Sequence, residues 1–427
     1  MSVSRKILLI ALSFALPIAV LVYLTVINID ANITFAQWEL KGDEYQRPLE
    51  ELLHCLQSEQ ITLHSSGIKA AAETSKKIDS AFQRLEQTDH RLGLDLQFTE
   101  EGLAKRHREH ERVAVAHQEW TELARELAQA EDMSPGLEHD SKLDGKFDDK
   151  FDHLVSDLRT MITHMGDTSN LILDPDLDSY YLMDVTLLAL PQTQDRLAQA
   201  TQYGYEVLRW GGPTEPEKIR LAVYAAMLHE ADANRVAGSS WTSVNEDAGF
   251  YGTSASLQTR LPPSLLKYEE ANGPFIQVIK GLADGSVAAM SPEAYLRSGL
   301  TAREESFAYW NTAVAEEDTL LHRRIAHFEQ RRARSLLLAF AAVLAAGLLA
   351  FWLTRSITRP LLGLVASLSP GAVLLSVCVE RIFDASENNF ANRDETDLIC
   401  QELDANCDAV RQAVAQLETQ VKGATRT

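Results

Sequence analysis

Residues Ser335 to Leu353 read SLLLAFAAVLAAGLLAFWL. The stretch holds no charge, no proline and a single glycine. A helix rises about 1.5 Å per residue, so about 20 apolar residues cross the hydrocarbon core of a bilayer. A helix also satisfies its backbone polar groups internally, which lipid demands. Arg331, Arg332 and Arg334 precede the stretch, and Arg355 and Arg359 follow it. Residues 335–353 are therefore expected to form a transmembrane helix, with the chain on either side in different compartments.

A second apolar run, Ile7 to Ile27, follows Arg5 and Lys6. It is longer than the apolar region of a cleaved signal peptide, about 7–15 residues, and no small-residue cleavage site follows cleanly. The expectation is an uncleaved helix at 7–27 behind a short cytoplasmic N-terminus at 1–6, with Pro17 tolerated in lipid. Residues 28–334 then form one loop with both ends at the membrane. Arg5, Lys6, Arg355 and Arg359 place both termini in the cytoplasm and the loop outside it. The Arg331–Arg334 cluster points the other way but counts for little, because long segments translocate regardless of flanking charge and arginine snorkels.

The 427 residues are 45% hydrophobic and 24% charged, values of a folded chain rather than a disordered one. A net charge of −21, with no basic run beyond the membrane flanks, excludes a nucleic-acid-binding surface. Of Cys55, Cys378, Cys400 and Cys407 only Cys55 precedes the second span. The loop cannot close an internal disulfide, so packing must hold it. Cys55 reads as a small apolar residue, with pairing to Cys55 of a second copy as the alternative.

Apolar residues recur at helical spacing almost throughout the loop. Phe35, Trp38, Gly42, Tyr45, Leu49, Leu52 and Leu56 step by three and four, with Pro48 expected to kink the helix. Ile68, Ile78, Phe82, Leu85 and Leu92 form a second stripe. Thr99 reads as the cap of a helix with acids in its first turn. Ser134 to Gly145 and Gly211-Gly212-Pro213 are breaks. Glu215 to Val236 reads as helix and Ala237 to Ser254 as a long Gly/Ser-rich loop. Pro262-Pro263 and Gly273-Pro274 read as interruptions. A last helix begins near Ser291-Pro292 and runs into the second span. No stretch alternates with the period of a strand. The expected fold is all-α: a membrane-anchored helical bundle, best divided into two stacked bundles sharing long helices, with two transmembrane helices. In residues 354–421, Cys400, Leu403, Cys407, Val410, Val414, Leu417 and Val421 form a heptad seam, expected to be a C-terminal dimeric coiled coil before a tail at 422–427.

Asp174-Pro-Asp-Leu-Asp-Ser-Tyr-Tyr-Leu-Met-Asp184 is the most unusual string. Its first three aspartates have calcium-loop spacing, but Ser179 stands where the loop needs glycine and Val185 where it needs glutamate. The reading is that Asp176 or Asp178 caps a helix. Tyr180, Tyr181 and Asp184 are candidates for ligand contact, joined by Arg47 and Arg196. His107, His110 and His117 are placed on one helix, the first pair at a spacing able to chelate zinc but without a third ligand. No H-E-x-x-H, G-x-S-x-G or kinase signature occurs. No metal, cofactor or enzymatic activity is expected.

Phe35-Ala-Gln-Trp-Glu-Leu-Lys-Gly-Asp-Glu-Tyr-Gln-Arg-Pro-Leu49 and the Asp174–Asp184 string resemble the helical sensor region of bacterial transmembrane receptors, namely methyl-accepting chemotaxis proteins and sensor histidine kinases. Ser356-Ile-Thr-Arg-Pro-Leu361 resembles the start of a HAMP linker, with Pro360 at the family's proline, and Asp394-Glu395 resembles the acidic pair of its second helix. The family's glycine after that pair is Asp397 here, and its Gly-Asp-Leu connector is missing. The resemblance implies a homodimer of the bacterial inner membrane, with the sensor region in the periplasm. A small molecule bound there would move the second span. Pro360, Leu364, Glu395, Leu403 and Val410 would relay that movement. Neither a signalling hairpin nor a kinase domain follows within the 427 residues, so the chain is most like a chemotaxis receptor lacking its signalling hairpin, and whether a hairpin, a kinase or a separate cytoplasmic effector receives the signal is left open. A shortened histidine kinase and a membrane scaffold are the alternatives.

Overall fold

The computed structural model describes residues 3–133, 141–286 and 290–353, with scattered positions beyond them. Among the described residues every regular element is helical and none is a strand, so the fold is all-α. In chain order the helices are α1 (Val3–Ser66), α2 (Ile68–Leu92), α3 (Glu100–Ala104), α4 (Val113–Met133), α5 (Ser141–Thr168), α6 (Leu177–Met183), α7 (Leu190–Arg209), α8 (Glu215–Met227), α9 (Asn234–Glu246), α10 (Ala255–Asp284) and α11 (Pro292–Leu353). Wider π-turns, Asp184–Ala189 and Leu228–Ala233, join α6 to α7 and α8 to α9.

The chain divides into two units. One is Asn28–Arg332; the other comprises Met1–Ile27 and Ala333–Thr427. In the second unit, Leu16, Leu21, Tyr23 and Leu24 of α1 are exposed, as are Leu337, Phe340, Leu344, Leu348 and Trp352 of α11. Both helices are long and apolar enough to cross a membrane. A helix with an apolar surface that its own chain does not cover fits lipid better than water.

In the first unit the apolar stripes are buried as their spacing requires. Tyr45, Leu49, Leu52 and Leu56 of α1 are fully buried, and so are Phe82 and Leu85 of α2 and Trp120, Leu123 and Leu127 of α4. They join α5, α6 and the middle of α11 in one large apolar cluster. A smaller cluster gathers Leu197 and Tyr205 of α7, Leu221 of α8, Phe275 and Ile279 of α10, and Tyr295 and Ala302 of α11. Helices α10 and α11 contribute to both clusters. Close approach is demanded at Gly204, where a side chain would run into the ring of Tyr295.

Several local expectations are corrected. The chain stays helical through Pro262, Pro263 and Pro274 in α10, where interruptions are expected; α1 is likewise continuous past Pro48. A proline inside a helix costs about 3 kcal/mol. Burial of a large apolar side chain returns about 1.5–3 kcal/mol, and Tyr45 and Leu49 flank Pro48 while Leu261, Leu265 and Phe275 flank the α10 prolines. The α10 prolines also avoid the fully buried face, so the missing N–H groups leave no buried gap.

Residues 237–246, expected to be loop, continue α9. Their small side chains form a buried face: Ser239, Ser240 and Ser243 are buried, and Ser240 Oγ meets the hydroxyl of Tyr309 on α11 at 2.5 Å. The three histidines do not share a helix. α3 ends at Ala104, and His107 (φ 55°) follows it in a turn. His110 precedes α4, and His117 lies on α4 stacked against Phe82. Thr99 caps α3 as expected, accepting the N–H of Gly102 at 3.1 Å. Pro360, Leu364, Glu395, Leu403, Val410 and the rest of the heptad seam lie outside the described residues.

Candidate functional site

Within the Asn28–Arg332 unit, α1 and α11 are joined by a ladder of polar contacts. Arg303 donates to Ser58 Oγ at 3.2 Å and to Gln57 Oε1 at 3.3 Å. Further along, Arg47 pairs with Asp318. Arg324 then meets Glu39 at 2.6 Å, and Arg332 meets Asp30 at 2.7 Å. Partners on α1 fall in number as those on α11 rise, so the two helices run antiparallel and in register. Arg303 to Arg332 covers about 44 Å of helix at about 1.5 Å per residue.

Arg324, 3% exposed, is the most heavily coordinated rung. Besides Glu39, its guanidinium meets Asp174 Oδ1 at 2.5 Å, Asp176 Oδ2 at 2.5 Å and Ser179 Oγ at 2.6 Å. Asp174 Oδ1 also accepts the N–H of Asp176 at 2.9 Å, and Tyr251 donates its hydroxyl to Asp176 Oδ2 at 2.9 Å. The Asp174–Asp184 string therefore wraps the guanidinium. Asp176 occupies the cap position of α6, yet its side chain makes no capping bond because Arg324 and Tyr251 engage it.

One guanidinium cannot neutralise all the acid here. Glu39, Asp43 and Glu50 on α1, and Glu317 on α11, are buried with them. Burial first, and the charge of Asp174 next, push Glu39 up to about 8 against the pull of Arg324. Burial raises Glu50 to about 8 as well. Burial and the neighbouring Glu317 and Asp318 carry Asp43 well above the carboxylate range; burial also raises Glu317, opposed by its hydrogen bond from Thr186. Among the described residues neither oxygen of Asp43 meets an N–H or O–H donor. A carboxylate so buried is stable when protonated, its proton then serving the carboxyl of Asp318 beside it. Gln46 donates to Glu50 at 2.6 Å and to the carbonyl of Thr186 at 3.0 Å, closing the seam. The arrangement ties the first and last helices to the Asp174–Thr186 segment.

Among the described residues Asp184 and Arg196 are linked through Arg235 and Asp232, while Arg47 lines a groove with other partners. Asp184 pairs with Arg235 at 2.5 Å and accepts Ser239 Oγ at 2.8 Å. Tyr180 and Tyr181 stack edge-on with ring centres 5.4 Å apart, and Tyr180 is exposed. Arg196 pairs with Asp232, an otherwise buried acid. Arg47 lines an open groove with Arg84, Arg91 and Phe307, where Arg84 and Arg91 are held by Glu51 and Glu44. Each candidate charge is thus committed to a partner. Sequence reasoning missed Glu39, Asp43, Glu50, Glu317 and Arg324. The available signal was the spacing of Glu39, Asp43, Gln46 and Glu50, which share a face beside the apolar stripe. No family model matches the chain, and no curated protein or solved structure matches it either.

Proposed function

We propose that this chain is a homodimeric signal receptor of the bacterial inner membrane, of the chemotaxis-receptor and sensor-kinase class. It senses a small molecule in the periplasm and relays a helix movement through the second apolar stretch to a HAMP-like linker. The observation that carries the reading is the antiparallel α1–α11 ladder, because α11 bears both the buried Arg324 and the apolar stretch Ser335–Leu353. The two apolar clusters, with α10 and α11 in each, fit a pair of stacked bundles sharing long helices.

A ligand shifts such a helix only by binding its two positions with different affinity. Packed interfaces are bistable, and displacements of about 1–2 Å are a common unit of transmission between helices. Buried charge rungs sharpen the two positions, since a half-broken rung leaves an unpaired charge in an apolar setting. The protein on this reading works by binding and movement, without a catalytic step.

Membrane topology tests the proposal. In a chain whose native cysteines are replaced, Trp241→Cys should react with a membrane-impermeant thiol reagent added outside spheroplasts. Ala409→Cys should react only after the membrane is opened. Equal labelling of both sites in intact spheroplasts would refute the assignment.

A further inference from the structure

We infer that Glu119, His153 and Asp157 form a binding site for a divalent transition-metal ion of the zinc type, joining α4 to α5. His153 and Asp157 stand one helical turn apart on α5, which turns both side chains to one face. Glu119 reaches them from α4.

His153 Nδ1 lies 3.5 Å from Glu119 Oε2 and 3.3 Å from Asp157 Oδ2, and one ligand atom from each residue lies within 4.8 Å of the others. Two atoms held about 2.0–2.1 Å from a tetrahedral metal ion are about 3.3–3.4 Å apart, so His153 already stands close to coordination-shell distance from each carboxylate. Asp157 Oδ2 accepts no hydrogen bond although the residue is only 8% exposed. Oε2 of Glu111, on the approach to α4, is also buried without a partner, and it stands within electrostatic reach of Asp157. Asp157 Oδ2 thus faces the imidazole of His153 at 3.3 Å without a hydrogen bond, and a further buried carboxylate oxygen lies within electrostatic reach. They suit a cation that accepts several ligands at once.

One imidazole with carboxylates selects zinc-like ions over magnesium and calcium, which take oxygen ligands almost exclusively. Three protein ligands leave a coordination position for water or for a donor atom from a ligand. The site bridges the two helices on either side of residues 134–140, where a metal strap fixes their pairing. It goes beyond the proposed relay and stands or falls without it.

The test uses the full chain in detergent, purified without a histidine tag. Zn²⁺ binding is measured by equilibrium dialysis, and Co²⁺ serves as the spectroscopic probe. The expected result is one tightly held Zn²⁺ per chain, a visible Co²⁺ ligand-field band that Zn²⁺ abolishes, and no displacement by excess Mg²⁺. His153→Ala and Glu119→Gln should each weaken Zn²⁺ binding tenfold or more. His153 and Glu119 are not buried, and Glu119→Gln preserves shape, so the second variant keeps the test valid if the first disturbs folding. Absence of stoichiometric Zn²⁺, or affinity unchanged in both variants, overturns the assignment.

Discussion

Replacing Arg324 by methionine removes the guanidinium that pairs with Glu39, Asp174 and Asp176 while keeping an unbranched side chain of similar length. All four groups are buried, with Arg324 3% exposed and Glu39 fully buried. Removing one partner of a buried charge pair costs about 3–5 kcal/mol, because the remaining charge loses its compensation without regaining water. Here three carboxylates are left, although two can escape by taking up protons. At about 2–4 °C per kcal/mol for a domain of this size, the loss corresponds to a fall of about 10 °C in melting temperature. The cost depends on pH. With Arg324 present, burial and Asp174 already hold Glu39 at about 8; without Arg324 it rises further, and Asp174 follows. Acid therefore relieves the variant. Thermal unfolding of the full chain in detergent, followed by far-ultraviolet circular dichroism, should show the large deficit at pH 8 and a much smaller one at pH 5. An Arg324→Met chain as stable as the original at pH 8, or one that suffers more at pH 5, refutes the reasoning. Arg324→Lys should recover only part of the loss, since a single ammonium cannot reproduce the fork that reaches three carboxylates.

Three further outcomes follow from the same contacts. Glu39 and Glu50, about 8 when folded against 4.5 in an open chain, hold protons that the unfolded chain releases. Their contribution is complete below pH 4.5 and is lost as pH rises through 8. For His64, burial acts downward, but hydrogen bonds to Asp148 and Glu206 lift it from 6.5 to about 10, so its share also fades across that range. Burial lowers His164 to about 4, which opposes the trend only between pH 4 and 6.5. Melting temperature should fall between pH 6 and pH 9, and a flat or rising profile would contradict the buried-acid account. Glu50→Gln should raise the melting temperature at pH 9 and leave it nearly unchanged at pH 5, because the amide imitates the protonated acid without its ionisation. Gly204→Ala drives a methyl group into the ring of Tyr295 and should cost about 1–3 kcal/mol, read as an earlier midpoint in urea.

The apolar half of α1 was legible because periodicity is local: Tyr45, Leu49, Leu52 and Leu56 announce a buried stripe within twelve residues. The polar half was not. Glu39, Asp43, Gln46 and Glu50 repeat at helical spacing too, but alone they read as a solvated face. What buries them is α11, whose Arg324 and Asp318 lie more than 250 residues away in the chain. The Gly/Ser stretch after Val236 misled for a related reason. Small side chains signal a loop in isolation and close helix packing when a residue such as Tyr309 lies against them. The prolines of α10 misled because their cost is local and the burial that offsets it is tertiary. The aspartates of 174–178 were read as helix caps, whereas Asp174 and Asp176 hold an arginine on the last helix.

Cysteine crosslinking along the second apolar stretch tests the central claim most directly. Single cysteines are placed one at a time from Ala339 to Ala350 in a chain without native cysteines. Disulfide formation between copies is then measured in membranes, with Arg324 intact and with Arg324→Met. The account predicts crosslinking that rises and falls with helical periodicity, and a pattern that shifts when the buried rung is removed. No crosslinking at any position, or the same pattern in both chains, would contradict it.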